Sequence, residues 1–507
     1  MTTRSANPGP GGWALEWEDR LLLPAIVLLP WAFGGVEIWA FRSAALLLVL
    51  GAAVALVRHG PAGWGLDRGA RWLLPALLLG VWAAIQLIPL PSPMIRLLSP
   101  GAHRIYADSF PTGDADASTV GGLGPFEQRA LRLVPEAAAH PLPTGAGESL
   151  EVEAPACLTR SWRTLSLEPS ATGERLAWYV ALLLGFLVVR RRVANPRIRG
   201  IYLGALLVTF AALAVFGLIQ NQTWNGRIYW LRRPRGETIP FGPYVNPNHF
   251  AGVMELAVPV LAAFGWSRLR RSGRAAVYEG PFAGAAIAGA ACVAAGLATA
   301  SKLGAGLIVL GLVSVMVFGA RSFRVRAWLA GAVLLLAAAV AGLMVETDLG
   351  SRVASYVARA RGGDVLEARG ALWLAGREMF LDFPLTGAGF GAFPEVFFRY
   401  TPPGALARFA QAHNDYVEVL LEGGMIGMAL LAWLIVGFSV RAWRGLLALE
   451  PAERLVPLGV LIGVSALSTH AFFEFPHQMP GNALLFVTMC AFLVPADGRS
   501  AAPASGR

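Results

Sequence analysis

Arg197-Ile-Arg-Gly-Ile-Tyr-Leu-Gly-Ala-Leu-Leu-Val-Thr-Phe-Ala-Ala-Leu-Ala-Val-Phe-Gly-Leu-Ile219 sets two arginines against a stretch, 200–219, that holds no charged residue. About 20 apolar residues is the length of helix that crosses a bilayer core of ~30 Å. The same grammar, a short basic cluster and then an apolar run, recurs along the chain. It predicts spans near 21–40, 43–57, 72–90, 175–190, 200–219, 248–266, 281–300, 303–320, 327–345, 415–440, 455–472 and 481–495. The fold class expected is an all-α integral membrane protein of about twelve transmembrane helices, and the first span reads as an uncleaved anchor.

Composition agrees. Of 507 residues, 55% are hydrophobic and 15% charged, well below the usual quarter for a soluble chain. The excess of 42 Lys+Arg over 32 Asp+Glu sits in clusters between apolar runs. No basic stripe interleaved with aromatics is present, so nucleic acid is excluded as a partner. The three cysteines, Cys157, Cys292 and Cys490, offer neither a disulfide framework nor a thiolate metal site.

The basic clusters alternate. One set holds Arg58, Arg68 and Arg71, then Arg190, Arg191, Arg192, Arg197 and Arg199. It continues with Arg268, Arg270, Arg271 and Arg274, then Arg321, Arg324 and Arg326, and ends with Arg441, Arg444 and Arg454. All fall on one side of a twelve-span chain, which puts that side and both termini in the cytoplasm. The expected division is N-terminal transmembrane helices (1–90), an outward loop (91–173), a second helical block (174–345), a second outward loop (346–413), C-terminal helices (414–496) and a cytoplasmic tail (497–507). The first long loop is rich in Ala, Gly, Pro and Thr and reads as poorly ordered over much of its length. The second carries helical patterning around 365–380.

Polar chemistry gathers in four outward segments. Asn246-Pro-Asn-His-Phe-Ala-Gly252 follows Arg227, Arg232, Arg233 and Arg235. Ser301-Lys302 lies at the tip between two spans. A third segment runs from Arg369 through Gly387-Ala-Gly-Phe-Gly-Ala-Phe393. The fourth is Ala412-His-Asn-Asp-Tyr416, continuing through Glu418 and Glu422 to Gly427. His413 starts a membrane helix, with Asn414 and Asp415 as capping candidates. Asp415, Glu418 and Glu422 recur at spacings of three and four, which puts their carboxylates on one helix face.

Each feature has a plainer reading beside it. His413 can be an interfacial cap residue and the acids a solvated face. Lys302 can snorkel to the interface, and Arg369 can pair with Glu367 or a helix end. Together the cations can instead clamp an anionic group, arginine by its fork and lysine as a point charge. The Gly387–Phe393 run lacks the strand and the Lys-Ser/Thr of a phosphate loop, so a packing turn is the better reading. His249, His470 and His477 lack the spacing of a zinc site, and no metal is invoked. Tyr400 to Ala412 can form an amphipathic outer segment.

These segments, in this order and on one face, resemble the O-antigen ligase and polymerase family of bacterial envelope glycosyltransferases. The likeness covers 175–495 and rests on Asn246-Pro-Asn-His249, Ser301-Lys302, Arg369 with Trp373, Pro384-Leu-Thr-Gly-Ala-Gly-Phe390 and His413-Asn-Asp-Tyr-Val-Glu-Val-Leu-Leu-Glu-Gly-Gly424. His470-Ala-Phe-Phe-Glu-Phe-Pro476 is similar to that family's penultimate outward turn. The resemblance implies transfer of a glycan from a polyprenyl-diphosphate carrier on the periplasmic face of the inner membrane. The acceptor would be lipid A-core for a ligase or a second lipid-linked glycan for a polymerase. It implies no cofactor and no metal, since the glycosyl-diphosphate bond supplies the energy.

Carried onto this sequence, His413 matches the motif general base and Arg369 the residue that would hold the donor diphosphate. Lys302 stands where the family usually shows arginine, so the fork is lost and the charge kept. Arg235, Asn246, Asn248, His249, Asn414, Asp415 and Glu422 would contribute to substrate binding. Two other classes stay open: a transporter for an anion or lipid-linked sugar, and a structural scaffold. No broken-helix pair or inverted repeat speaks for the transporter.

Overall fold

The computed structural model describes residues 15–64, 68–109, 162–234, 239–320, 364–400 and 409–496, with isolated positions between 322 and 335. Within them the chain is an all-α bundle. Among the described residues seven helices are long and apolar enough to cross a membrane. These are α2 (Ile38–His59), α6 (Pro169–Arg192), α7 (Pro196–Gln222), α8 (Pro247–Ser272), α9 (Gly280–Ala298), α10 (Lys302–Gly319) and α13 (Asp415–Ala448). Shorter apolar helices α3 (Leu74–Ile85), α14 (Leu455–His470) and α15 (Pro480–Leu493) pack among them. The expected span at 327–345 lies outside the described residues.

One expected span is corrected. In place of a helix over 21–40, α1 stops at Trp17–Leu28 and a pair of tight turns, Leu29–Trp31 and Phe33–Gly35, leads to α2. Pro30 and two positive-φ glycines, Gly34 and Gly35, interrupt the helix inside an apolar run. The expected break at Ser301 is present: α9 ends at Ala298 and Lys302 opens α10, with the Ser301 hydroxyl accepting from the Gly304 N–H at 3.3 Å. The α6–α7 hairpin turns at Asn195, whose side chain caps α7, with Pro196 at its first position.

α8 is the axis of the bundle, packed against α9, α10 and α14. Small residues allow the approach: a Cβ on Gly459 or Gly463 of α14 would stand 2.6 or 2.8 Å from a carbonyl oxygen of α8.

At one end of the bundle, acids of the first segment meet arginines expected in a cytoplasmic loop. Arg190 and Arg192 are instead buried at the end of α6. Arg192 forks onto Asp19 at 3.0 and 2.6 Å and reaches Glu16 at 2.6 Å, and the Tyr202 hydroxyl donates to Asp19 at 3.0 Å. The network ties α1, α6 and α7 together. Burial raises the Glu16 carboxyl, but Arg192 and His59 outweigh it and hold the group below its ordinary value.

At the other end a second, smaller core forms a cap. Short helices α4 (Ser92–Leu98) and α5 (Pro100–Ser109) begin the segment expected to be poorly ordered. Ile95 and Ala102 from them pack with Phe383 and with Leu372 and Met379 of α11 (Asp364–Asp382), a helix that matches the patterning expected near 365–380. Two-residue strands β1 (Leu90–Pro91) and β2 (Trp162–Arg163) pair beside it.

Candidate functional site

The end of the bundle under the cap is organised by the turn from His470 to Gln478. That turn leaves α14 through Phe473 and Glu474, whose N–H groups both donate to the His470 carbonyl, at 2.9 and 3.1 Å. Its first residue past the helix, Ala471, accepts from the Asp415 N–H at 2.9 Å, which docks the start of α13 onto it. Asn414 caps α13, its side chain accepting from Tyr416 and Val417 at 3.0 Å each.

His413 precedes that cap with φ of 50°, a left-handed conformation uncommon for a residue with a side chain. The strain aims its ring at the turn. Nδ1 lies 3.2 Å from Glu474 Oε2, with the histidine one-third exposed and the carboxylate buried. Glu474 Oε1 in turn accepts from the Asn248 amide at 2.9 Å. Phe475 packs edge-on between His413 and His249, at 5.2 and 4.5 Å between ring centres. A carboxylate facing Nδ1 favours the tautomer protonated there, which leaves Nε2 as the acceptor. Nε2 bonds no described residue.

The expected site residues, Glu422 aside, divide into four groups. Asn248, His413, Asn414 and Asp415 converge on the 470–478 turn, Asp415 by accepting from His477 at 3.0 Å and Gln478 at 3.1 Å. Asn246 and His249 support them from α8: Asn246 caps the helix, and His249 is buried with its carbonyl held by Asn482 at 2.9 Å. Lys302 is exposed at the first position of α10. Arg235 lies outside the described residues, and Arg369 lies in the backbone of α11 with its side chain outside them.

The solvated-face reading of the acids does not hold: Asp415, Glu418 and Glu422 are all buried. Glu418 accepts from the Ala412 N–H at 2.8 Å and Glu422 from the Phe393 N–H at 3.0 Å. The glycine-rich run is a packing turn, as expected. Ala388 and Gly389 donate to the carbonyls of Leu421 and Glu422, each at 3.0 Å, and Gln86 bridges Thr386 and Glu422 from α3. Gly387 and Gly424 face each other at positive φ, and a Cβ on either would fall 2.1–2.2 Å from the opposing backbone.

Sequence reasoning did not single out Glu474, although it lies inside a motif already quoted. Its role appears only once α8, α13 and α14 are assembled. A second buried pair, His470 Nδ1 to Glu255 at 2.6 Å, joins α14 to α8. Among the described residues one acid–histidine group has metal-like spacing, Glu16, Glu18 and His59. It is at the opposite end, and Arg58, Arg191 and Arg192 already compensate its carboxylates.

Residues 285–432 match the family model described as O-antigen ligase. The matched segment contains Lys302, Arg369, His413 and Glu422, while Asn248 and Glu474, which hold His413, lie outside it. A search of curated proteins found no match. The match, together with the apolar helices, is consistent with a membrane glycosyltransferase-type function in polysaccharide processing. Over 285–432 the chain is therefore similar to the O-antigen ligase family.

Proposed function

We propose that this protein moves a glycan from a polyprenyl-diphosphate carrier to an acceptor hydroxyl, in the manner of an O-antigen ligase with lipid A-core as acceptor. The observation that carries the reading is His413, held through Nδ1 by a buried carboxylate and presenting Nε2 at the edge of the bundle. In the reaction the acceptor oxygen attacks the anomeric carbon, and its proton passes to Nε2. The bond from that carbon to the diphosphate oxygen breaks, and the diphosphate leaves with the electron pair. Arg369 and Lys302 would stabilise the leaving charge, as oriented cations do in sites that exclude water. No metal or nucleotide enters this scheme.

The arginine clusters support an inner-membrane protein whose His413 end faces the periplasm and whose termini are cytoplasmic. The test is purified protein in nanodiscs with polyprenyl-diphosphate-linked glycan, with and without lipid A-core. Donor-length glycan joined only to the core supports the ligase reading. A ladder grown from donor alone replaces it with a polymerase, and no new bond in either case overturns it.

A further inference from the structure

A cavity of about 240 Å³ lies between α3, α6 and the first two turns of α13. One wall is apolar, formed by Leu79 and Ala83 of α3 and Leu182 of α6. Trp178 and Tyr179 add two aromatic rings; the Tyr179 hydroxyl donates to the Ala76 carbonyl at 2.7 Å, which fixes its ring as part of the wall. The opposite end is polar. Asp415, Glu418 and Glu422 reach it from α13, and Arg175 reaches it from α6, donating to Gln478 at 3.3 Å.

The charge pattern selects among ligands. A diphosphate entering here would meet three carboxyl groups and a single guanidinium, too few donors to match its charge once it leaves water. An ammonium group would meet Arg175. A ring bearing hydroxyls satisfies both sides, donating to the carboxylates and accepting from Arg175 and Gln478, while its apolar faces lie on the aromatic rings. The volume is below the ~300–1,000 Å³ of drug-sized pockets, which suits one sugar ring on an apolar stem. Asp415 is two residues from His413, and both are anchored to the 470–478 turn, so a sugar held here lies next to the base.

We infer that this cavity receives the neutral sugar end of a glycolipid, the acceptor of the transfer, and that the donor diphosphate binds elsewhere. The acceptor role rests on the function proposed above; the sugar preference rests on the cavity alone.

The test uses the full chain in nanodiscs and three probes with one tail and different heads: dodecyl glucoside, dodecyl phosphate and dodecyltrimethylammonium. Binding is counted by native mass spectrometry. Dodecyl glucoside should bind the wild type and bind Ala83→Phe about tenfold more weakly or worse, because a phenyl ring overfills the cavity. Leu182→Phe fills it from the other helix and carries the same expectation if Ala83→Phe does not fold.

Glucoside binding that is indifferent to both fillings overturns the inference, as does displacement of the phosphate or ammonium probe in its place. Transfer that survives in a variant that has lost glucoside binding overturns the acceptor role and leaves the proposed reaction standing. A wild type that forms no glycosidic bond, yet loses the glucoside on filling, overturns the reaction and supports the sugar site.

Discussion

The Glu474 carboxylate lies 3.2 Å from Nδ1 of His413, across 61 residues of chain, and is itself held by the Asn248 amide at 2.9 Å. Three elements, α8, α13 and the turn after α14, thus fix one imidazole. An imidazole oriented in this way needs no rearrangement before Nε2 accepts a hydrogen bond, and the carboxylate favours one tautomer in advance.

Glu474 acts through His413, so its loss should alter the base and leave substrate affinity alone. Glu474→Gln preserves shape and the Asn248 contact but removes the charge. It should lower kcat by about ten- to a hundredfold, less than the ~10²–10⁴-fold expected for loss of the base itself, with KM unchanged. A fall in activity accompanied by an equal loss of substrate affinity would make Glu474 structural only.

The contact between the glycine-rich turn and α13 should be intolerant of a methyl group. Gly424→Ala forces a side chain into φ of 65° and a Cβ to 2.2 Å from the Leu385 carbonyl. Strain of this kind costs about 1–3 kcal/mol before the clash is counted. Thermal unfolding in detergent should show a clear fall in Tm; an unchanged Tm would contradict the close backbone packing.

Asp19→Ala strips Arg192 of its forked partner inside the bundle. Removing one member of a buried pair typically costs about 3–5 kcal/mol, whereas replacing both by apolar residues is often nearly neutral. The double variant Asp19→Leu, Arg192→Leu should therefore regain most of the stability that Asp19→Ala loses. Additive losses in a double-mutant cycle would contradict the pairing.

The same network gives stability a pH dependence. Glu16 has its folded value held below the ordinary 4.5 by Arg192 and His59, against the effect of burial. Its contribution is complete above 4.5 and is lost as pH falls through the depressed folded value. Tm should drop on acidification below that point, and Glu16→Gln should flatten the drop. An identical acid response in the variant would remove Glu16 from the account.

The parts of the fold legible in the sequence were those written locally. The α6–α7 hairpin follows from apolar runs around Asn195-Pro196, and the Ser301 break from the cap that opens α10. The early end of α1 was hidden because a hydropathy average passes over Pro30 and Gly34. Arg190 and Arg192 read as part of a cytoplasmic loop because the acid that pairs Arg192 is 173 residues away. The site followed the same rule. His413, Asn414 and Asp415 stood out as a cap motif, but Glu474 is tied to Asn248 across 226 residues, a proximity that only the assembled helices create.

The most direct measurement is single-turnover transfer by His413→Ala in nanodiscs, with donor binding followed in the same sample. Donor should bind as in the wild type and glycosyl transfer should fall by about 10²–10⁴-fold, the usual share of a general base. Transfer at the wild-type rate would contradict the assignment of His413 as the base.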